Sequence, residues 1–343
     1  MGDYPGHVML VDRHGRVATD LRVSLTDRCS LRCAYCMPPE GLPWLPRQEL
    51  LTDDELVRVV RVAVSLGVRE VRLTGGEPLL RRGVPDLVAR FAELRPRPEL
   101  SITTNGILLT RDAAALAAAG LDRVNVSLDT LDPARFKAIT FRDKHADVLA
   151  GLAAARAAGL EPVKVNAVLL RDRNADEAPE LLAWALREGY ELRFIEQMPL
   201  DAQHAWDRSA MVTADEVLAS LSTAYELVPQ DGRGSAPAET WTVVDGPDRA
   251  SWALEKPRVG IVGSVTRPFC GACDRVRLTA DGQLRNCLFA TEESDLRSAL
   301  RSGADDVEIA RRFVASVAGK RAGHGIDDPD FLQPARPMSA IGG

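Results

Sequence analysis

The sequence predicts an α/β protein: six βα units in succession forming an incomplete (β/α)6, TIM-like barrel, with a smaller C-terminal module after them. Short β-like runs start near Leu21, Glu70, Leu100, Arg123, Pro162 and Glu191 and alternate with amphipathic helical stretches until Met198, where the rhythm stops. Such alternation calls for a parallel sheet with right-handed crossovers. Polar groups recur at the strand ends, where active sites of parallel βα folds gather, and this favours a curved sheet over an open doubly wound one. At 343 residues the chain suits two domains, given about 100 to 200 residues for each. The expected division is 1–210 and 211–343.

The first run gives way to Cys29-Ser30-Leu31-Arg32-Cys33-Ala34-Tyr35-Cys36, three thiols in one short loop. Thiolates select zinc, copper(I) or iron–sulfur clusters. Electron-carrier clusters take four cysteines, so three would leave one iron of a [4Fe–4S] cluster open to a small molecule. A zinc knuckle competes, although zinc wants four closed ligands or three plus water. Next, a capping box of Thr52 and Glu55 opens a helix that stops at Gly67. The second run ends in Thr74-Gly75-Gly76-Glu77-Pro78, where paired glycines free the backbone to approach a ligand and Glu77 offers an acceptor. Thr103-Thr104-Asn105-Gly106 closes the third run, and an Ala/Leu helix follows up to Gly120. Asn125, Ser127 and Asp129 end the fourth, Lys164 and Asn166 lie on the fifth, and Arg193, Glu196 and Met198 end the sixth. Singly, each has an ordinary turn or cap reading. Their recurrence strand after strand does not.

Beyond Met198 the pattern changes. Residues 201–208 are irregular and polar, Thr213-Ala214-Asp215-Glu216 caps another helix, and 230–238 has the Gly, Pro and Asp content of a surface loop. Strands are expected at 241–244 and 258–262, then a hairpin of 276–279 and 283–288 turning at Asp281-Gly282. This hairpin brings Cys287 back beside Cys270 and Cys273, a second three-thiol set, read as another cluster with an open iron. Zinc completed by His324 is the alternative. Arg275 and Arg277 alternate on one side of the strand that follows, a solvated face in the plain reading. Residues 321–343 are rich in Gly and Pro, and disorder is their plain reading.

The composition is mildly acidic, with 43 basic and 49 acidic residues, and gives no global footprint for nucleic acid. The longest apolar runs fall short of a membrane span, and residues 1–5 lack a signal pattern. A cytoplasmic protein without membrane or nucleic-acid partners is expected. All six cysteines fall into the two triplets; in a reducing compartment that favours metal chemistry over disulfides. The chain has no G-x-x-x-x-G-K-[ST] phosphate loop.

The C-x3-C-x2-C loop, with an aromatic before its last cysteine, resembles the signature of the radical S-adenosylmethionine (SAM) superfamily, and the Gly75-Gly76-Glu77 segment resembles the part that binds the SAM amino group. From about Gly15 onward the chain is similar to one family within it, the GTP 3′,8-cyclases that open molybdenum-cofactor (molybdopterin) biosynthesis. That likeness rests on residues 20–29, residues 72–82, Thr103-Thr104-Asn105-Gly106, residues 125–129, Val163-Lys164-Val165-Asn166, Arg193-Phe194-Ile195-Glu196, the C-x2-C-x13-C triplet and Gly342-Gly343. The resemblance implies two [4Fe–4S] clusters, on Cys29, Cys33 and Cys36 and on Cys270, Cys273 and Cys287. It implies SAM held by Tyr35, Gly76, Ser127 and Met198. GTP would be held by Arg22, Arg72, Thr103, Lys164, Arg275, Val276 and Arg277, with its guanine at the second cluster. Arg22, Arg275 and Arg277 would be catalytic, and the terminal glycines would enter the cavity. The implied reaction is hydrogen abstraction from C3′ of GTP by a 5′-deoxyadenosyl radical, bonding of C3′ to C8, and reduction to 3′,8-cyclo-7,8-dihydro-GTP. Implied partners are a reductase or a ferredoxin- or flavodoxin-type electron donor and the cyclic pyranopterin monophosphate synthase that consumes the product. A homodimer is left open.

Overall fold

The computed structural model describes residues 9–342; the readings made for residues 1–5 and for Gly343 lie outside the described residues. The six expected strands form within a residue of their predicted starts: β1 (Asp20–Ser24), β2 (Glu70–Thr74), β3 (Glu99–Thr104), β4 (Arg123–Ser127), β5 (Val163–Val168) and β6 (Glu191–Ile195). Between them run α1 (Asp53–Ser65), α2 (Val84–Ala92), α3 (Leu109–Ala118), α4 (Pro133–Thr140), α5 (His145–Ala157) and α6 (Ala178–Glu188). The crossover from β4 to β5 thus carries two helices where one was expected. Six strands follow: β7 (Glu226–Pro229), β8 (Glu239–Asp245), β9 (Arg258–Val262), β10 (Arg275–Leu278), β11 (Gln283–Arg285) and β12 (Ser294–Asp295). With them come α7 (Ala214–Ser222), α8 (Leu296–Arg301), α9 (Asp306–Ala318) and α10 (Met338–Ile341).

All these strands belong to one sheet, ordered β12-β11-β10-β1-β2-β3-β4-β5-β6-β9-β8-β7. Its central stretch from β10 through β1 to β6 and on to β9 is wholly parallel. The six-unit expectation is therefore extended by a parallel strand on each edge. Both additions come from the sequence beyond Met198, where no local rhythm marks which strand edge each will cover. The sheet is curled, because residues of every one of these parallel strands, from Arg275 and Arg22 to Arg193 and Val262, line one cavity.

Period-two alternation explains how the strands divide their work. Leu21, Val71, Leu100, Val124, Val165, Leu192, Val259 and Val276 are buried under the helices; Arg22, Arg72, Thr103, Ser127, Asn166, Arg193 and Arg277 point the other way, into the cavity. Helix α1 supplies Leu56, Val59, Val60 and Ala63 to the outer layer, each large side chain contributing about 1.5 to 3 kcal/mol on burial. Its predicted capping box is present, with Glu55 N donating to Thr52 Oγ1 at 3.2 Å and Thr52 N to Glu55 Oε2 at 2.7 Å.

Two expectations are corrected. Strand β11 ends at Arg285 instead of reaching Leu288, because the Arg285 guanidinium turns onto the carbonyls of Leu288 and Ala290 and draws the chain into a turn. The tail is ordered through Gly342: Arg336 makes a bidentate pair with Asp281 at 3.0 and 2.8 Å, Met338 N donates to Leu200 O at 2.9 Å, and α10 follows.

Candidate active site

The first thiol loop leaves β1 and folds against the end of α4, where Arg32 N donates to Thr140 O and Ala34 N to Ile139 O, both at 2.9 Å. The Arg32 guanidinium closes the loop on itself, donating to Cys29 O and Leu31 O at 2.7 Å. The paired glycines serve this loop rather than a ligand alone. A Cβ on Gly75 would lie 2.3 Å from Thr26 O, and one on Gly76 would lie 2.4 Å from Arg28 O, so the cysteine loop's own backbone fills the space. Glu77 is likewise fully buried and turns inward, onto Asn105 N and Thr104 Oγ1 at 2.7 Å each.

Burial pushes the Cys29 thiol up to about 11 and Cys36 up to about 12, and Glu77 adds to the effect at Cys29. Such thiols stay neutral until a bound metal supplies positive charge, since coordination deprotonates a thiol outright. Cys29, Cys33 and Cys36 line a cavity of about 180 Å³ with Tyr35, Gly76, Thr103, Ser127 and Met198. Tyr35 is fixed by its hydroxyl, which donates to Asp129 Oδ2 at 2.9 Å, and Asp129 Oδ1 accepts Val168 N at 2.9 Å.

A second cavity of about 270 Å³ adjoins it and shares Tyr35, Thr103, Ser127, Met198 and Met338. Its far wall holds Cys270, Cys273 and Cys287, and between the two thiol sets stand Arg22, Arg72, Arg193, Arg275 and Arg277. Arg22, Arg72, Arg275 and Arg277 are nearly sealed from solvent, and Arg193 is half-buried. Arg22 leans on Asp20 at 3.3 Å, Arg72 on Ser101 at 3.2 Å, and Arg275 stacks over Phe269 with its Cζ 4.4 Å from the ring centre. Their donors are not all used: Arg22 Nε, Arg277 Nε, and Arg275 Nε and Nη2 find no acceptor. Burial pushes Arg193 down to about 10; burial with Arg22 and Arg275 pushes Arg277 down to about 9. Arginine keeps its proton in such sites, so the crowding is an unmet demand for an anion carrying several charges. The solvated-face reading of Arg275 and Arg277 is overturned, since they are 3% and 6% exposed.

The second triplet differs electrically from the first. Although burial opposes it, Arg275 and Lys320 pull Cys273 down to about 7. The zinc alternative loses its fourth ligand. His324 Nε2 lies 3.0 Å from Ser264 O and so carries the proton, while its Nδ1 accepts Ile326 N at 3.1 Å, leaving neither nitrogen free. Three half-buried thiols line the cavities at each site, and with all six cysteines of the chain free and so placed they fit a pair of three-cysteine clusters.

Most residues singled out in the sequence meet at this double cavity. Lys164 and Val276 are not among its lining residues: Lys164 sits one inward position deeper than Asn166, paired with Glu191 at 3.3 Å, and Val276 is buried among the core residues. Sequence reasoning did not assign Arg193, Asn166, Phe269 or Lys320. Arg193 and Asn166 had a signal, their place among polar strand ends; Lys320 had none. Gly342 packs where a Cβ would lie 3.1 Å from Ser24 Cβ and Thr74 Cγ2.

A curled parallel sheet with a three-cysteine loop after its first strand and a paired-glycine turn after its second defines the radical SAM class of enzyme. Residues 23–185 match the radical SAM superfamily and residues 190–326 match Molybdenum Cofactor Synthesis C. The chain is 65% identical over 341 residues to GTP 3′,8-cyclase of Streptomyces coelicolor, covering 98% of this chain and 97% of that one. It is 58% identical over 341 residues to GTP 3′,8-cyclase of Mycolicibacterium smegmatis, covering 99% and 93%. The solved structure of Streptococcus suis SuiB bound to S-adenosylmethionine shares the fold, with a TM-score of 0.59 at 14% identity over 90% of this chain and 70% of that one. The chain belongs to the GTP 3′,8-cyclase family.

Proposed function

We propose that the protein converts GTP to (8S)-3′,8-cyclo-7,8-dihydroguanosine 5′-triphosphate, the first step towards molybdopterin, at the double cavity. The observation that carries the site assignment is the set of five guanidiniums lining the cavity between two three-thiol sites, three of which, Arg22, Arg275 and Arg277, are buried with donors that find no acceptor. Cys29, Cys33 and Cys36 would hold one [4Fe–4S] cluster and Cys270, Cys273 and Cys287 the other. When bound, the first cluster and SAM supply a one-electron cleavage that yields a hydrogen-abstracting 5′-deoxyadenosyl radical.

The chain's own residues do the rest. Tyr35, Gly76, Ser127 and Met198 form the wall against which SAM is held. Arg22, Arg72, Arg193, Arg275 and Arg277 take the triphosphate oxygens, for which a planar guanidinium fork is well matched. Thr103 borders both cavities and can orient the ribose between them. Val276 can meet substrate only through its backbone, and Lys164 only if its pair with Glu191 opens. Arg275 and Arg277, next to the second triplet, are placed to hydrogen-bond the cyclised nucleotide and stabilise its charge while it is reduced and takes up a proton. The overall change consumes GTP, SAM, two electrons and one proton and gives the cyclised nucleotide, 5′-deoxyadenosine and methionine. The electrons require a reductase or a ferredoxin- or flavodoxin-type donor, and the product is passed to a cyclic pyranopterin monophosphate synthase. A cytoplasmic location suits six free thiols; no helix among the described residues is long and apolar enough to cross a membrane. The test is anaerobic incubation with SAM, dithionite and each nucleoside triphosphate in turn, read by mass spectrometry. Product from GTP alone is expected, and turnover of another nucleotide with GTP unchanged would overturn the reading.

A further inference from the structure

Lys320 lies just past α9 and is 4% exposed. Its ammonium donates to Cys273 O at 2.9 Å, Arg275 O at 2.8 Å and Cys273 Sγ at 3.3 Å, which uses all three of its protons. A buried cation needs a counter-charge. Burial disfavours the charge on Lys320, the sulfurs of Cys273 and Cys287 favour it, and Arg16 opposes it. Arg16 nonetheless fixes the segment in place, donating to Cys270 O at 2.6 Å, Arg321 O at 2.6 Å and Ala322 O at 3.0 Å. The first triplet is surrounded in the opposite sense. Glu77 faces Cys29, where Arg32 partly offsets it, Asp129 faces Cys33, and the donors that reach the sulfurs are neutral: Asn105 Nδ2 at 4.0 Å from Cys29 Sγ, and the Ser339 amide on Cys36.

Hydrogen bonds to the sulfurs and the local net charge set the reduction potential of an iron–sulfur cluster. We propose that Lys320 is a positioning residue that acts through Cys273: its N–H···S bond and fixed charge raise the reduction potential of the [4Fe–4S] cluster held by Cys270, Cys273 and Cys287. The inference rests on reading that triplet as a cluster site. Its sign follows from electrostatics, since the added electron makes the cluster more negative and a fixed cation beside a ligand sulfur stabilises that state more than the oxidised one.

The experiment uses the full-length chain with Cys29, Cys33 and Cys36 replaced by Ala, so that only the second cluster contributes, titrated electrochemically under EPR detection with iron counted in each sample. Lys320→Met and Lys320→Gln are expected to titrate at a lower midpoint than the parent, and Lys320→Arg at the parent value, with iron near four per chain throughout. A parent-like midpoint in whichever neutral variant keeps its iron overturns the proposal. Loss of iron from both neutral variants would make Lys320 a structural anchor and overturns the tuning role as well. Zinc in place of iron in the parent is a separate result that removes the cluster reading itself.

Discussion

Glu77 Oε2 accepts the backbone N–H of Asn105 at 2.7 Å, which ties the end of β3 to the turn after β2. Its Oε1 takes the Thr104 hydroxyl at 2.7 Å and Leu79 N at 3.0 Å. Asn105 then reaches Ser30 Oγ at 3.0 Å, inside the cysteine loop. One carboxylate with no solvent contact thus organises the surroundings of the first triplet.

Glu77→Gln presents an amide N–H to one of these donors, and a cost of about 1 to 3 kcal/mol is expected from the unsatisfied pair. Burial raises Glu77 to about 7, above its ordinary 4.5. The folded chain therefore binds more protons than the unfolded one between those values, and stability falls as pH rises through that window. Asp129, raised by burial to about 6, acts in the same direction over a lower range. Urea unfolding at about pH 5 and about pH 7.5 should show the loss in the parent and a smaller one in Glu77→Gln. An unchanged pH slope in the variant would count against the assignment.

Local spacing made the first triplet legible, because its three thiols lie on one loop and owe nothing to distant chain. The strand-end polar residues were legible for a similar reason: alternation within each strand decides which face they take. What stayed hidden depends on partners far along the chain. Lys320 meets a sulfur 47 positions earlier, and β9 and β10 join the edges of β6 and β1 without any local mark of that pairing. The role of Gly75 and Gly76 was half legible, since flexibility could be read but not that the cysteine loop occupies the space.

Arg193→Ala should weaken GTP binding about tenfold or more, as expected for a charge-assisted hydrogen bond worth about 1.5 to 3 kcal/mol, while both clusters and SAM-dependent background cleavage persist. Isothermal titration with GTP under anaerobic conditions reads this directly. Parent-like affinity would remove Arg193 from the phosphate set.

The two thiol sets should separate in a pair of variants. Cys33→Ser is expected to abolish 5′-deoxyadenosine formation, because the site that delivers the electron is broken. Cys287→Ser should leave slow deoxyadenosine release but give no cyclised nucleotide. Both products are quantified in the same anaerobic reactions, with iron measured alongside. Cyclised product from Cys287→Ser at the parent rate would make the second triplet merely structural.

Gly342 tests the tail, whose path runs past the thiols of both sites. Its φ is +89°, in the region that favours glycine, and its N–H donates to Met338 O at 2.9 Å to close α10. A side chain would meet Ser24 Cβ and Thr74 Cγ2 at 3.1 Å, closer than these neighbours readily allow, and the backbone strain adds about 1 to 3 kcal/mol. Because Met338 borders both cavities and the Ser339 amide rests on Cys36, the displaced tail would uncover the space between SAM and the nucleotide. Gly342→Ala should therefore slow cyclisation, and the β-branched Gly342→Val should abolish it, while circular dichroism and iron content stay at parent levels. Uncoupling is the signature to look for: 5′-deoxyadenosine formed in excess over cyclised nucleotide, rising from parent to Ala to Val. A Val variant that cyclises GTP at the parent rate and ratio would show that Gly342 has no part in closing the site.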